Sequence, residues 1–487
     1  MSQYHKPQTS MPRGNVLILC SDEHARSAAG CYGHPVAMTP TLDRLAARGV
    51  RFTRAYTPSP ICIPARASLA TGLHVHETRC WSSAEPYHGQ IESWMHRVRA
   101  RGHRVSSVGK LHFRSGADDH GFEEELEPMY LANDGEGWPQ GLLRDPLPPY
   151  DEVTQLAAGV GIGESEYTQY DRRVTEKAAA WLKSAPRDGD RPWALFVSFI
   201  SPHYPLTAPP EFHALYDGLE MPEPIDARPS HPVLREMAKF WDYDRHFTPE
   251  ARLEARRCYY ALCSFLDDNI RKVLLALEES GQAENTTILY ISDHGEMLGN
   301  HGLWTKSVMY EDSVAIPMLM AGPAIKAGRN DTPVSLTDVA ATVDVAMGAE
   351  PQFKPVTAGD GWQGRPLQAF IDRPEPDREI LSEYHDGGSP TGFFMLRAGR
   401  WKYVSYAGAP TAQLFDLERD PDELEDLGES PAHKETRAMM DARLRAILDP
   451  EEVNETAFAD QARVLERLGG REKVSAMPSF GHTPLGD

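Results

Sequence analysis

Apolar and polar residues alternate along the chain in blocks that predict strands and helices in turn. Three continuous apolar runs have the length of strands that are buried on both faces of a sheet, and they occupy 16–20, 193–200 and 286–291. Helical spacing of apolar residues predicts helices over 40–48, 91–101, 167–184 and 249–281. This repetition of strand and helix predicts an α/β fold with a large, mainly parallel or mixed sheet sandwiched by helices.

The remaining stretches predict shorter strands, loops and a second unit. Further strands are expected at 50–55 and 104–108, whereas 115–165 and 206–247 lack a clear period and predict loops, the first of which walls one side of a site. Beyond about residue 370, strands near 393–396 and 401–406 and a helix near 434–448 predict a smaller antiparallel α+β subdomain. We therefore expect four parts, which are a flexible N-terminus (1–14), a catalytic α/β domain (15–370), the C-terminal α+β subdomain (371–449) and a tail (450–487) that docks on the body or on a neighbouring subunit.

Composition narrows the classes of partner. The 487 residues are 41% hydrophobic and 25% charged, which is typical of a globular protein. A net charge of −21 disfavours nucleic acid and anionic membranes as partners, so an anionic substrate needs local cationic groups. The chain has no apolar leader, no run near the ~18 apolar residues of a membrane span, and six scattered cysteines, which predicts a cytoplasmic protein without a membrane partner.

Polar side chains follow the predicted strands at the points where they end. Asp22 and Glu23 follow the first strand, and Asp293 and His294 follow the strand at 286–291. Open α/β sheets place their sites at such strand ends. Each pair is either a local capping turn or part of one divalent metal site. Carboxylates suit Ca²⁺, Mg²⁺ or Mn²⁺, and an imidazole shifts the preference toward Mn²⁺.

Cationic and imidazole groups occupy other connections of the predicted sheet. Lys110 and His112 alternate on an extended segment, so we expect them to point the same way. His203 and Lys306 come from separate connections, and a lone histidine is more often a surface or satisfied core residue than a functional one. Together with Arg66 and a metal, the two lysines would form the cationic pocket that binding of a tetrahedral oxyanion requires.

A cysteine lies at the start of a predicted short helix within 60–72. Pro64 suits the first helical turn, and Arg66 lies about one turn from Cys62. A thiol at a helix N-terminus beside a cation has a lowered pKa, although many intracellular cysteines are simply small buried hydrophobes. Cys62 is thus either a polarised nucleophile or a packing residue.

The same segment resembles the signature of the sulfatase family. The run Cys62-Ile63-Pro64-Ala65-Arg66, followed by Thr71-Gly72, is similar to that family's C-x-P-x-R element with its downstream T-G. Further segments resemble family elements in the same order, at 15–22, 109–112, 292–296, 302–306, 401–403 and 414–423.

The chain departs from many members of that family at two positions. Many arylsulfatases have Asp where this chain has Glu23 and Asn where it has His294. The Asp-His pair instead resembles the branch of choline sulfatases and phosphonate monoester hydrolases, as do 381–384 and the extended C-terminal tail.

The resemblance implies a cofactor, a fold and partners. It implies an alkaline phosphatase-like fold, a homo-oligomer (dimer or tetramer) and oxidation of Cys62 to formylglycine by a formylglycine-generating enzyme, with the hydrated aldehyde as nucleophile. It also implies one divalent metal, with Ca²⁺ expected first and Mn²⁺ or Mg²⁺ as alternatives. The implied ligands are Asp22, Glu23, Asp293, His294 and the modified Cys62.

The resemblance also assigns roles to the cationic and imidazole groups. Arg66, Lys110 and Lys306 would neutralise the equatorial sulfate oxygens. His203 or Lys306 would protonate the departing alkoxide, and His112 would help to remove the proton from the second hydroxyl.

The expected function is hydrolysis of small aryl or alkyl sulfate monoesters. One alternative keeps the site but acts on phosphonate monoesters or phosphodiesters, and another is a non-catalytic binding protein with unmodified Cys62. The residues expected to line the pocket for the alcohol part, unless they are packing residues, are Trp138, Glu383, Tyr384 and the tail.

Overall fold

The computed structural model describes residues 14–185, 191–349, 364–479 and 482–485. The predicted flexible N-terminus lies outside these residues except for Gly14. In chain order, the strands of the described residues are β1 (Asn15–Asp22), β2 (Val50–Phe52), β3 (Ala55–Tyr56), β4 (Arg104–Lys110), β5 (Glu124–Met129), β6 (Gly161–Ile162), β7 (Trp193–Pro202), β8 (Thr207–Ala208), β9 (Thr286–Ser292), β10 (Met318–Ala321), β11 (Gly328–Asn330), β12 (Val334–Ser335), β13 (Ile380–Tyr384), β14 (Phe393–Ala398), β15 (Trp401–Tyr406) and β16 (Gln413–Asp416).

The α-helices lie between these strands in the chain and after the last of them. In chain order they are α1 (Pro40–Arg48), α2 (Cys62–Thr71), α3 (Val75–Thr78), α4 (Trp94–Ala100), α5 (Val153–Ala158), α6 (Glu166–Ser184), α7 (Pro210–His213), α8 (Pro232–Trp241), α9 (Tyr243–His246), α10 (Pro249–Glu279), α11 (Glu311–Val314), α12 (Thr337–Ala346), α13 (Gln368–Asp372), α14 (Lys434–Arg445), α15 (Pro450–Arg467) and α16 (Arg471–Ser475).

The central sheet of the described chain has eight strands in the spatial order β11-β2-β10-β9-β1-β7-β4-β5. The strand β10 runs antiparallel to both of its neighbours, while the other pairs are parallel. Because side chains alternate along β1, Val16 and Ile18 face one core while Leu17 and Leu19 face another. Helices α2, α4 and α12 cover the first face, and α1, α6 and α10 cover the second. The predicted mixed sheet between two helical layers is confirmed.

A smaller antiparallel sheet, β13-β14-β15-β16, follows in the last quarter of the chain. One of its faces packs against the larger α/β part of the chain through Tyr384 and Phe393, and the other packs against α14 through Leu396 and Leu414. The expected small C-terminal antiparallel sheet with a packed helix is therefore present, while the exact domain limits stay a prediction.

Several elements lie where the sequence pattern predicted loops or a tail, and β5, α8 and α15 are examples. The strand β5 is a charged sheet edge, with the sequence Glu-Glu-Leu-Glu-Pro-Met, so it lacks the apolar alternation of a strand. The helix α8 buries only Leu234 and Met237, and α15 buries mainly Pro450, Ala457 and Gln461. The narrow buried face of α15 explains why apolar periodicity did not predict it, whereas Leu234, Met237 and Trp241 of α8 do have the spacing of an amphipathic helix.

No helix in the described parts of the chain combines the length and apolar character that a membrane crossing requires.

Candidate active site

Neighbouring parallel strands bring the predicted acidic pairs together. Ser21 of β1 pairs with Ser292 of β9, so the residues that follow them emerge side by side at one sheet edge. There the backbone N–H of Glu23 donates to Asp293 Oδ1 at 3.2 Å. Glu23 itself has a φ of 65°, which turns the chain away from the sheet directly after Asp22.

Four buried donors converge at this edge. Donor atoms of Asp22, Cys62, Asp293 and His294 lie within 4.8 Å of one another. Cys62 begins α2, and its Sγ lies 3.1 Å from His294 Nε2 and 3.7 Å from Asp22 Oδ1. Four groups that the sequence placed in three separate segments therefore form one cluster.

The orientation of His294 fits a metal ligand. Its Nδ1 lies 3.1 Å from the carbonyl oxygen of Gly295, which can only accept, so Nδ1 carries the proton and Nε2 presents a lone pair. That lone pair faces Asp22 Oδ1 and Asp293 Oδ1, each 3.7 Å away. Two carboxylates and an unprotonated imidazole, all aimed at one point, are a donor set for a divalent cation.

Arg66 lies behind the two carboxylates. Its Nε donates to Asp293 Oδ2 at 2.8 Å and its Nη2 to Asp22 Oδ2 at 3.1 Å, while Nη1 donates to the carbonyl of Lys110 and to Ser198 Oγ. The guanidinium is 2% exposed, and none of its atoms lines the cavity that Cys62 faces. Arg66 therefore contacts both carboxylates and does not line this cavity, and its contact with substrate oxygens, which the resemblance implied, stays a prediction.

Lys110 and His112 both lie at this site, but the segment that joins them is not extended throughout. Lys110 ends β4 and its Nζ lies 2.5 Å from Asp22 Oδ2. The backbone then turns at His112, whose φ is 54°, so the expectation of an extended segment is wrong here. His112 lines the cavity, and neither of its ring nitrogens has a hydrogen-bond partner among the described residues.

Glu23, His203 and Lys306 form a second buried group next to the first. Lys306 Nζ lies 3.0 Å from Glu23 Oε2 and 2.8 Å from His203 Nε2. His203 Nδ1 lies 2.7 Å from the carbonyl oxygen of Tyr204, so Nδ1 is protonated and Nε2 accepts from the lysine. Glu23 is thus a hydrogen-bond partner of Lys306. It is absent from the four-donor cluster, although its carboxylate forms a second buried group of possible metal ligands with Asp22 and His203.

The surroundings set the charge of each group. Burial opposes ionisation of Asp22, but Lys110 and the neighbouring cations outweigh it and hold its pKa well below the usual range. Burial would lower the pKa of Lys306, but Glu23 and Tyr204 raise it well above the ordinary lysine value. Burial and adjacent cations lower the pKa of His112 and of His203 well below 6.5. Lys306 is therefore the protonated group, and the two histidines are neutral.

The thiol of Cys62 is protonated as well. Burial, with a further contribution from the Asp22 carboxylate, raises its pKa above the ordinary value of a thiol. The expected lowering by a helix N-terminus and by Arg66 is wrong, because the side chain is only 6% exposed and faces a carboxylate. An unmodified Cys62 in this position is a poor nucleophile.

Aromatic rings wall the cavity above Cys62, His112, His203 and Lys306. The rings belong to Trp138, Tyr150, Tyr204, Trp241, Tyr243 and Tyr384. Two carboxyl groups, of Glu152 and Asp386, also line this space, and His482 and Thr483 of the tail reach it. The cavity therefore joins a cationic floor to an aromatic wall that holds two carboxyl groups, one of which, Asp386, accepts hydrogen bonds from Ser83 and Gly387 and has its pKa raised by burial.

Trp138 and Tyr384 line the cavity as predicted, but Glu383 does not. On β13 consecutive side chains point to opposite faces, so Glu383 turns away and accepts from His76 Nδ1 at 2.8 Å. The sequence reasoning missed Tyr150, Trp241 and Tyr243. Their signal was the density of aromatic residues in stretches without a clear period.

Comparison with known proteins adds family relationships. A family model described as "Sulfatase" matches residues 14–349, and one described as "N-sulphoglucosamine sulphohydrolase, C-terminal" matches residues 299–449. The chain is 36% identical over 411 residues to a choline-sulfatase of Rhizobium meliloti (strain 1021), with 80% of this chain and 78% of that protein covered. It is 29% identical over 463 residues to arylsulfatase K of Homo sapiens, covering 89% of this chain and 82% of that protein.

Solved structures share the architecture at lower identity. The phosphonate monoester hydrolase of Agrobacterium radiobacter superposes with a TM-score of 0.71 at 21% identity, with 89% of this chain and 95% of that chain covered. At this identity the likeness concerns the fold.

Proposed function

Because the chain belongs to the sulfatase family, whose members hydrolyse sulfate esters, we propose that it cleaves small sulfate monoesters with formylglycine at position 62 and one divalent cation. The ligands that we propose for the cation are Asp22, Asp293, His294 and the modified residue 62. The carrying observation is that Cys62 Sγ lies within the buried cluster of two carboxylates and an imidazole. The cation supplies Lewis acidity beside position 62, and the hydrated aldehyde supplies an oxygen nucleophile.

The protein groups around that position have complementary roles. Arg66 and Lys110 hold the carboxylates of Asp22 and Asp293 in place through direct contacts. Lys306, which is protonated and lines the cavity, binds a sulfate oxygen and holds the proton that the leaving alkoxide requires. His203 accepts from Lys306 and orients its ammonium group.

His112 has the properties of a proton acceptor. It lines the same cavity, its pKa is lowered by burial and by nearby cations, and its ring nitrogens have no hydrogen-bond partner within the described chain. We assign it removal of the proton that accompanies release of sulfate. Glu23, as the partner of Lys306, is proposed to orient that lysine and not to bind the cation.

The mass of residue 62 tests the chemistry directly. Formylglycine replaces the thiol and one hydrogen of Cys62 by a carbonyl oxygen, so the peptide that contains it should be lighter than the sequence predicts. Only preparations made with a formylglycine-generating enzyme should carry this change and turn over sulfate esters, and C62A should be inactive. A full-mass peptide in active protein, or an active C62A variant, would contradict the assignment, and an unmodified, inactive native protein would favour a binding role.

The donor set leaves the identity of the cation to experiment. Ca²⁺ is expected first, with Mn²⁺ and Mg²⁺ as alternatives. Metal content per chain should fall in D293N and in H294A, whereas E23Q should retain it. Loss of metal from E23Q equal to the loss from D293N would return Glu23 to the set of ligands.

The aromatic wall supports a cationic alcohol as the other half of the substrate. Rings of Trp138, Tyr150 and Trp241 lie against one another, with centroids 4.9 to 6.4 Å apart, and Glu152 and Asp386 add carboxyl groups. Aromatic faces with adjacent carboxylates favour quaternary ammonium groups. The relative named choline-sulfatase supports the same substrate class.

Two substrates of the same shape isolate the contribution of the positive charge on the alcohol. Choline sulfate should be turned over with a higher kcat/KM than 3,3-dimethylbutyl sulfate, which has a carbon in place of the nitrogen. A cation–π contribution of about 1–2 kcal/mol corresponds to a factor of about 5–30. W241L should remove most of that factor, while it leaves the value for the neutral ester nearly unchanged. Equal efficiency on both esters would refute a cationic substrate, and higher efficiency on a phenylphosphonate ester than on any sulfate would favour the phosphorus alternative.

A further inference from the structure

The loop that delivers Lys306 is a tight structure closed at its base. It runs from Glu296 to Lys306, and Met297 donates its backbone N–H to the carbonyl of Thr305 at 2.7 Å. Non-glycine residues take left-handed backbone at Leu298, His301 and Thr305, with φ between 50° and 61°. Such conformations persist only where the surroundings compensate them.

Glu296 supplies that compensation at the base of the loop. Its side chain is 4% exposed, and one oxygen, Oε1, accepts from Leu298 N at 2.7 Å and from Thr305 N at 2.6 Å. The two donors belong to two of the left-handed residues, one on each limb of the loop. A single carboxyl oxygen therefore joins both limbs directly before Lys306.

We propose that Glu296 is a positioning residue, which sets the location of the Lys306 ammonium by fixing the backbone of Thr305. Lys306 is the residue after Thr305, and its Nζ must reach Glu23 and His203 from that backbone position. Glu296 also contacts the carboxyl group of Glu23, so its loss would disturb the partner of Lys306 as well as the backbone that carries the lysine. Loss of the acceptor frees the limb that ends at Lys306 and leaves two buried N–H groups without a partner. A displacement of about 1 Å at a catalytic group is sufficient to cost on the order of 10²-fold in rate.

The inference rests on the proposed role of Lys306, so the two are tested together. K306A should lower kcat by about 10²-fold or more on an alkyl sulfate, because its poor leaving group requires the proton, and by much less on nitrophenyl sulfate. E296A should show the same dependence on the leaving group, mainly in kcat. A general loss of structure would lower turnover of both substrates alike.

Conservative variants separate the hydrogen bonds from the charge. E296Q keeps a carbonyl oxygen for both N–H groups and should retain kcat within about fivefold of the parent, since a displacement is avoided. In E296D the carboxylate is one methylene too short to accept from both limbs, so its kcat on an alkyl sulfate should be lowered. This variant tests the proposal if E296A does not fold.

Two further variants decide the outcome. In the double variant E296A/K306A, kcat should fall less than about twofold below that of K306A alone, because a residue that acts through Lys306 has nothing left to position. D267A is the matched control, since Asp267 is a buried carboxylate that also accepts two backbone N–H groups, from Thr41 and Leu42, but does not line the cavity that contains Lys306. It should lower stability without changing the leaving-group dependence.

Additive losses in the double variant, or an equal loss on both substrates in E296A and E296D, would overturn the proposal for Glu296. An unimpaired K306A would instead overturn the proposed role of Lys306.

Discussion

Replacement of Arg66 by Met is expected to destabilise the protein in a way that a divalent cation partly reverses. In the native structure Arg66 contacts both Asp22 and Asp293, and all three side chains are at most 2% exposed. R66M keeps an apolar side chain of similar length but leaves two buried carboxylates without their shared partner.

The size of the effect follows from these contacts. Removal of one member of a buried ion pair costs about 3–5 kcal/mol, because the remaining charge stays desolvated. Lys110 still contacts Asp22 at 2.5 Å and offsets part of that cost, while the lost bonds to the Lys110 carbonyl and Ser198 Oγ add about 1 kcal/mol each. We therefore expect R66M to lower the free energy of unfolding by about 3–5 kcal/mol. This is a large part of the total, which is about 5–15 kcal/mol for a typical folded protein.

Urea unfolding followed by tryptophan fluorescence, with chelator and with excess Ca²⁺ or Mn²⁺, measures both parts of the prediction. A cation at 100 times its dissociation constant stabilises a native protein by about 2.7 kcal/mol. The stabilisation should be larger in R66M than in the parent, since the cation then neutralises otherwise unpaired carboxylates.

The matched control is R378M. Arg378 forms two hydrogen bonds, of 2.6 and 2.7 Å, to Asp338, which is fully buried outside the candidate active site. R378M should lose stability that added metal does not restore. If R66M is as stable as the parent with chelator, or if metal stabilises R66M and R378M equally, the assignment of Arg66 to the metal-binding carboxylates is wrong.

Three further predictions concern the pH dependence of stability, the buried ion pairs of Lys402 and removal of the metal. Burial and Arg256 lower the pKa of His34 to about 4. The unfolded chain therefore takes up a proton at a higher pH than the native state does. The free energy of unfolding should fall by about 1–3 kcal/mol as the pH drops from about 6.5 to 4. H34N keeps an acceptor for the N–H groups of Val36 and Ala37 and should reduce the change of the urea midpoint over that pH range, to which other buried histidines such as His24 also contribute. An unchanged pH profile would exclude His34 as a cause. K402M should lower the free energy of unfolding by about 3–5 kcal/mol, because the fully buried Lys402 ammonium contacts Glu311 and Glu423 at 2.9 and 2.8 Å. A loss below about 1 kcal/mol would mean that those carboxylates find other partners. Chelation should abolish turnover of sulfate esters and re-addition of the cation should restore it, whereas activity that persists at undetectable metal content would rule out a metal-dependent reaction.

The sequence predicted the layout of the site because its cues are local. Continuous apolar runs mark β1 and β9, and the polar residues directly after them, Asp22 and Asp293, must emerge at the same edge of a parallel sheet. Likewise, Pro64 in the first turn and Gly72 after the last fix the bounds of α2, which the structure places at Cys62–Thr71.

Features that depend on long-range contacts could not be read from the sequence. A helical Arg66 either faces the cavity or the sheet edge, and only the packing of α2 against β1 and β9 selects the second. Burial reverses the pKa expected for Cys62 from its helix position alone. The aromatic wall combines Tyr150 and Trp241 with Tyr384 of β13. These residues span 234 positions of the chain (384 − 150) and share no local pattern.

The burial of α2 also limits when another enzyme can act on this chain. All ten residues of the helix are buried, and Cys62 Sγ lies between Asp22 and His294, which come from strands far apart in sequence. A second protein cannot bind around that segment once β1 and β9 have paired and α2 has packed against the sheet. The oxidation that we propose for Cys62 would therefore have to occur on the nascent or still unfolded chain, so the yield of modified protein would depend on the rate of modification relative to the rate at which the central sheet closes.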